Sequence, residues 1–259
     1  MQAFDSLSRD IQQYIYDKGW PSLTRIQNAA IKQVANTDHN LILSAPTASG
    51  KTEAAFIPAL NSVEDWDTGL KVLYISPLKA LINDQFQRIS ELSAYLDIPI
   101  TPWHGEVSQA QKKKVVNQPK GILLITPESI EGMLVNRPGE AQHLFKGVEW
   151  IIIDELHSFL GTERGVHLQS LLQRISQFMQ APRFIAMSAT LNKKDFGYAK
   201  AFFGSQRDTD ILVDRDKNDL LITIDYTSGE AGPFVARESL EAIYQYSKTE
   251  TMLIFPNSR

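Results

Sequence analysis

Five short runs of this chain are apolar at every position, at residues 41–43, 72–75, 122–125, 150–153 and 184–187, each bounded by polar residues, proline or glycine. A strand with one wet face alternates apolar and polar side chains, whereas a strand covered on both faces leaves no place for the polar ones. Between the runs, apolar residues return every three or four positions over 51–60, 81–96, 108–116, 128–134, 166–179 and 195–203, the period of an amphipathic helix. Strand and helix therefore alternate, and the strands are covered on both sides. The pattern predicts an α/β fold with a mostly parallel, doubly wound sheet.

A length of 259 residues admits one large α/β unit, or one domain with part of a second. The pattern changes after residue 203. Residues 208–219 are charge-rich and weakly periodic and read as a connector; 220–226 alternate like a strand, 234–246 are helical in period, and 252–255 open another strand. The division expected is a first domain over 1–214, then a linker and the opening β–α–β of a second, truncated domain over 215–259.

Hydrophobic residues at 43% and charged residues at 22% exclude intrinsic disorder. With 26 Lys and Arg against 30 Asp and Glu, the net charge of −4 supplies no global field for a polyanion, so such a partner must meet a local patch. The absence of cysteine removes disulfides, thiolate zinc sites and cysteine nucleophiles, and fits a cytoplasmic location. The aliphatic run 122–125 is far short of the roughly 20 residues a membrane helix needs, so no membrane partner is expected. The histidines form no His-x-x-x-His pair, and Gly-x-Ser-x-Gly does not occur. Lys112, Lys113 and Lys114 read as a solvated helix face, and Trp103 as a packing residue.

The run at 41–43 leads through Ser44 into Ala-Pro-Thr-Ala-Ser-Gly-Lys-Thr at 45–52, and helical spacing follows at once. Strand, loop with Gly-Lys-Thr, then helix is the order of a phosphate-binding loop. Backbone N–H groups at a helix N-terminus point at phosphate oxygens, and the helix dipole favours the negative charge. In that arrangement Lys51 reaches the β- and γ-phosphates and the Thr52 hydroxyl ligates Mg²⁺. The strand at 150–153 ends in Asp-Glu-Leu-His at 154–157. Two acids at the C-terminal end of a parallel strand lie on the ligand side of the sheet, beside the phosphate loop. Asp154 is placed to hold Mg²⁺, usually through water, and Glu155 to orient and deprotonate an attacking water.

With Ser-Ala-Thr at 188–190, these segments resemble motifs I, II and III of superfamily-two helicases, in the DExH form. Further segments follow in the same order. Lys18-Gly19-Trp20 with Thr24, Ile26, Gln27 and the upstream Phe4 is similar to the adenine-reading Q motif, with Leu23 and Arg25 standing where prolines are common. Residues 76–85 resemble motif Ia, 103–106 the turn after it, 126–129 motif Ib and 252–259 motif IV. The wording is nearest to the Lhr-type (large helicase-related) branch.

The resemblance implies a RecA-like fold and a motor that binds ATP and Mg²⁺ in a cleft between two RecA-like domains, with a nucleic-acid strand laid across both. Gln27, Thr47, Ala48, Ser49, Gly50, Lys51 and Thr52 would hold the nucleotide. Thr52 and Asp154 would hold the metal, and Lys51, Asp154, Glu155 and His157 would serve catalysis. Ser188 and Thr190 would couple nucleotide to strand, and Lys79 and Thr126 would meet the strand's phosphates. It implies an ATP-dependent helicase or translocase, with DNA favoured over RNA and a monomer favoured. An RNA helicase and a nucleotide-switch interaction module are the alternatives. Motifs V and VI, with their charge-stabilising arginine, are not found in residues 1–259, so the isolated chain is expected to show little activity.

Overall fold

The computed structural model describes residues 3–204 and 206–214, together with residues 241, 244, 245 and 248. The chain divides after residue 216 into two units, and the elements below belong to the first. The strand and helix expected over 220–226 and 234–246, and the strand over 252–255, lie outside the described residues save for the four isolated positions.

In chain order the elements are α1 (Arg9–Asp17), α2 (Arg25–Asn36), β1 (Asn40–Ser44), α3 (Lys51–Ser62), β2 (Gly69–Ile75), α4 (Lys79–Tyr95), β3 (Ile100–Trp103) and α5 (Gln109–Asn117). There follow β4 (Lys120–Ile125), α6 (Pro127–Asn136), α7 (Pro138–Phe145), β5 (Trp150–Ile153), α8 (Glu163–Ser176), β6 (Arg183–Ser188), α9 (Phe196–Ala201) and β7 (Thr209–Val213). The seven strands form one sheet in the order β3-β4-β2-β5-β6-β1-β7, and every pairing is parallel.

Each central strand feeds two cores. Leu41, Leu43, Val72, Tyr74, Ile122, Leu124, Ile152 and Ile185 pack with α1 to α4 on one face. Their neighbours Ile42, Leu73, Ile75, Leu123, Ile125, Ile151, Ile153 and Ala186 pack with α6 to α9 on the other. The sheet is doubly wound because successive side chains leave a strand on opposite faces and both faces are dry.

The two edge strands depart from the sequence reading. β7 lies inside the stretch read as a connector, and β3 was not expected as a strand. Both are only partly covered, so neither carries the unbroken apolar signature of the interior. β7 is held by the backbone of β1, from Asn40 opposite Thr209 to Ser44 opposite Val213, and by Asp210, whose carboxylate accepts from Gln33 Nε2 at 2.6 Å and meets His39 Nδ1 at 2.7 Å. α7, also unexpected, begins with Pro138 at its first turn, where the missing N–H costs nothing.

Register fixes where the loops converge. Ser44 lies beside Ser188, Ile75 beside Ile153 and Ile125, and Trp103 beside Ile125. The strands thus end level with one another, and the loops after β1, β2, β4, β5 and β6 share one rim. No helix among the described residues is long and apolar enough to cross a membrane.

Candidate functional site

The phosphate loop leaves β1 and enters α3 as the sequence pattern requires. Gly50 caps α3 with φ at +83°, the left-handed region that favours glycine. A Cβ there would lie 2.5 Å from Gln27 Nε2, the end of a side chain that would have to swing away from the loop. Ala48, at the exposed loop tip beside Thr47, adopts φ +63° without being glycine. Ser49 Oγ is buried without a protein hydrogen-bond partner.

Lys51 lies across its own loop, its ammonium donating to the carbonyls of Ala45 at 2.5 Å and Pro46 at 2.6 Å. Burial pushes its pKa down, and the carboxylates of Glu155 and Asp154 pull it back up. The loop and the acidic pair therefore share one electrostatic site. Thr52 Oγ1 is buried and donates to Gln85 Oε1 at 3.2 Å. Gln27, also buried, accepts the Thr24 N–H at 2.9 Å to complete the capping box of α2 and places its Nε2 3.4 Å from the Gly50 carbonyl. Its amide thus joins the cap of α2 to the phosphate loop.

Asp154 is buried at the end of β5. One carboxylate oxygen accepts the Tyr74 hydroxyl at 2.5 Å and the other the Glu155 N–H at 2.9 Å. Burial raises its pKa above the ordinary aspartate value, while these two bonds and Lys51 oppose the rise. Burial in the core on its face of the sheet, followed by the neighbouring Asp154 carboxylate, pushes the Tyr74 phenol well above its ordinary value. Glu155 stands at φ +49°, which turns its side chain out of the strand direction. Burial and the charge of Asp154 raise its pKa, against the opposing pull of His157 and Lys51.

His157 Nδ1 lies 3.3 Å from Glu155 Oε2 and 3.3 Å from Ser188 Oγ, and the Ser188 hydroxyl reaches the Thr190 carbonyl at 2.8 Å. The Ser-Ala-Thr turn after β6 is thus joined through one imidazole to the acidic pair after β5. On the same rim, Lys79 at the start of α4 is ion-paired with Glu106. Thr126 caps α6, its Oγ1 accepting the Ser129 N–H at 3.3 Å. His104, 3.0 Å from Asn83 Oδ1, is pushed down in pKa by burial and by the nearby Lys79 and Lys112. Trp103 is buried, with the Lys112 ammonium 5.6 Å from its ring centre, which is a packing role.

Three residues to which the sequence reading assigns no role support the site's geometry. Tyr74 supports Asp154, Gln85 supports Thr52, and Arg164 in α8 ties the loop after β2 to α6 by donating to the Pro77 carbonyl at 2.5 Å and to Glu128 at 2.7 Å. Gln85 lies within the segment read as motif Ia, whereas Tyr74 stands inside the run 72–75, which reads as apolar throughout and so gives no signal. Arg164 reads as an ordinary first-turn surface residue.

The residues suit Mg²⁺. That ion keeps most of its waters and takes one or two protein oxygens beside substrate phosphates. The Thr52 hydroxyl and the Asp154 carboxylate are such a pair, and a cation there would offset the burial of Asp154. No cluster of three or more His, Cys, Asp or Glu ligands exists among the described residues, so a dedicated protein cage is not what this site offers.

The profile described as DEAD/DEAH box helicase matches residues 24–196, from the capping threonine of α2 to the first residue of α9. The chain belongs to the DEAD/DEAH box helicase family. It is 31% identical over 241 residues to the ATP-dependent helicase Lhr-Core of Sulfolobus acidocaldarius, covering 85% of this chain and 27% of that one. It is 33% identical over 214 residues to the Lhr helicase/uracil glycosylase of Escherichia coli, covering 73% and 13%. The structure of Mycobacterium smegmatis helicase Lhr bound to ssDNA and AMP-PNP is similar with a TM-score of 0.71 at 26% identity, over 83% of this chain and 28% of that one. The chain thus spans under a third of the length of these three relatives. Within this family the seven-stranded parallel sheet is the RecA-like helicase fold.

Proposed function

We propose that this chain is the first motor domain of an ATP-dependent DNA helicase or translocase of the Lhr type, spanning residues 1–214, with 215–259 opening the second RecA-like domain. The observation that carries the reading is the shared site. The ammonium of Lys51 and the carboxylates of Asp154 and Glu155 act on one another's ionisation, and His157 connects Glu155 to Ser188.

In this reading the N–H groups of 47–52 and Lys51 grip the ATP phosphates, and Gln27 faces the base. Lys51 leaves the Ala45 and Pro46 carbonyls for the γ-phosphate, exchanging neutral acceptors for charged ones. Thr52 and Asp154 hold Mg²⁺, which supplies charge neutralisation across the phosphates when bound. Glu155 orients a water and takes its proton, a task for which its raised pKa moves it toward the working pH. His157, Ser188 and Thr190 transmit the state of the γ-phosphate to the strand, whose phosphates meet Lys79 and the backbone around Thr126. These contacts read no sequence and weaken with salt. The preference for DNA is supported by the solved Lhr relative, which is described as bound to ssDNA. The protein acts as a cytoplasmic monomer.

ATP hydrolysis by the full-length protein, measured with single-stranded DNA, with RNA and with neither, tests this directly. DNA stimulation is expected to vanish in Lys51→Ala and Glu155→Gln. Stimulation by RNA alone would transfer the reading to an RNA helicase, and stimulation by neither polymer would leave a nucleotide switch.

A further inference from the structure

The Thr52 hydroxyl and the Lys79 ammonium belong to different halves of the site, one at the nucleotide and one at the strand, and α4 runs between them. Lys79 is the first residue of α4. Gln85, six residues on, lies about 9 Å further along the helix axis at 1.5 Å per residue. Its side chain turns inward, is buried, and accepts a hydrogen bond from the Thr52 hydroxyl, whose oxygen is 3.2 Å away. One turn later Arg88 pairs with Glu53 at 3.1 Å, the residue after Thr52. The strand-side helix is therefore pinned to the first turn of α3 at two successive points, of which only the Gln85 link is fully buried.

A threonine hydroxyl has one proton and two lone pairs. Because Gln85 takes the proton, both lone pairs of Thr52 Oγ1 remain available to a cation, and the orientation of that oxygen is set by α4. A displacement of α4 by a strand gripped at Lys79 changes how Thr52 presents its oxygen. By linkage, filling the nucleotide site must bias α4 in return. On the reading above, in which Lys79 meets the strand and Thr52 the metal, we infer that Gln85 is a positioning residue that couples nucleic-acid binding to nucleotide binding through the Thr52 hydroxyl.

The test is the affinity of the full-length protein for a labelled single-stranded DNA oligonucleotide, measured by anisotropy with and without AMP-PNP and Mg²⁺. The ratio of the two affinities is the coupling, and it is a binding quantity that does not depend on turnover. Gln85→Met keeps the side-chain length and burial but removes the acceptor. Its coupling ratio should fall about 2- to 10-fold, the range expected from one hydrogen bond, while DNA affinity without nucleotide stays at the wild-type value. Gln85→Glu retains an acceptor oxygen at the same reach and should retain the ratio, which keeps the idea testable if the methionine variant folds poorly. A wild-type ratio preserved in Gln85→Met, or lost equally in Gln85→Glu, overturns the inference while leaving the motor reading intact. A wild-type protein with no coupling at all overturns both.

Discussion

Tyr74→Phe is the most informative single change in the site, because it removes one hydroxyl without altering the packing of β2. Asp154 then keeps one donor, the Glu155 N–H at 2.9 Å, and loses the phenol at 2.5 Å. A hydrogen bond to a neutral group contributes about 0.5–1.5 kcal/mol, and one to an ionised group about 1.5–3 kcal/mol. Burial already holds Asp154 above its ordinary 3.8, and losing the phenol raises it further. A carboxyl whose folded pKa is raised contributes stability below its unfolded value and loses it as pH rises through the folded value. The variant's cost should therefore grow with pH, from about 0.5–1.5 kcal/mol where the carboxyl is protonated to about 1.5–3 kcal/mol where it is charged, a rise to be sampled at pH 4 and pH 8. Urea unfolding followed by tryptophan fluorescence at the two pH values measures this. All four tryptophans, Trp20, Trp66, Trp103 and Trp150, lie in the first unit, so the signal reports the right part of the chain. A cost that is the same at both pH values, or larger in acid, would refute the argument that Tyr74 supports an ionised Asp154.

Three other outcomes follow from the same geometry. Gly165→Ala places a Cβ 1.8 Å from the Phe159 carbonyl oxygen, a backbone atom that cannot rotate away; an unfolding cost of at least about 3 kcal/mol is expected, and a variant melting with the wild type would contradict it. On the proposed reading Lys79→Ala removes one phosphate contact, so the slope of log affinity for single-stranded DNA against log salt should flatten by about 0.7; an unchanged slope would take Lys79 off the strand. Glu131 is held near a pKa of about 2 by hydrogen bonds from Arg174 and His167, so the stability that wild type holds over Glu131→Gln should be full above pH 4.5 and fade as pH falls toward 2. Acid melts of the two proteins would show parallel curves if that triad contributed nothing.

The interior of the fold, and the placing of the phosphate-loop and Asp154-Glu155 segments at strand ends, were legible in the sequence because their signals are local. The strands β1, β2, β4, β5 and β6 announce themselves as unbroken apolar runs, since each is dry on both faces. The edge strands β3 and β7 carry no such run, and a charge-rich segment became β7 only because β1 offered it a row of backbone partners. The phosphate loop and Asp154-Glu155 are likewise set by contiguous residues. Thr126 and Lys79 sit on the expected rim, where one also serves as a helix cap and the other as half of an ion pair.

Spacing along the chain determined which groups can do phosphate chemistry and that they leave the ends of parallel strands, because a strand–loop–helix turn is built from consecutive residues. What holds those groups was decided by tertiary structure alone. Gln85 reaches Thr52 across 33 residues, Tyr74 reaches Asp154 across 80 and Arg164 reaches Pro77 across 87. The sheet order sets β2 beside β5 and lays α4 against α3, bringing distant residues within hydrogen-bond reach, and no periodicity in the sequence encodes a strand's neighbour. The sequence names the candidate groups; the packing of the sheet and its helices fixes the direction in which each one points.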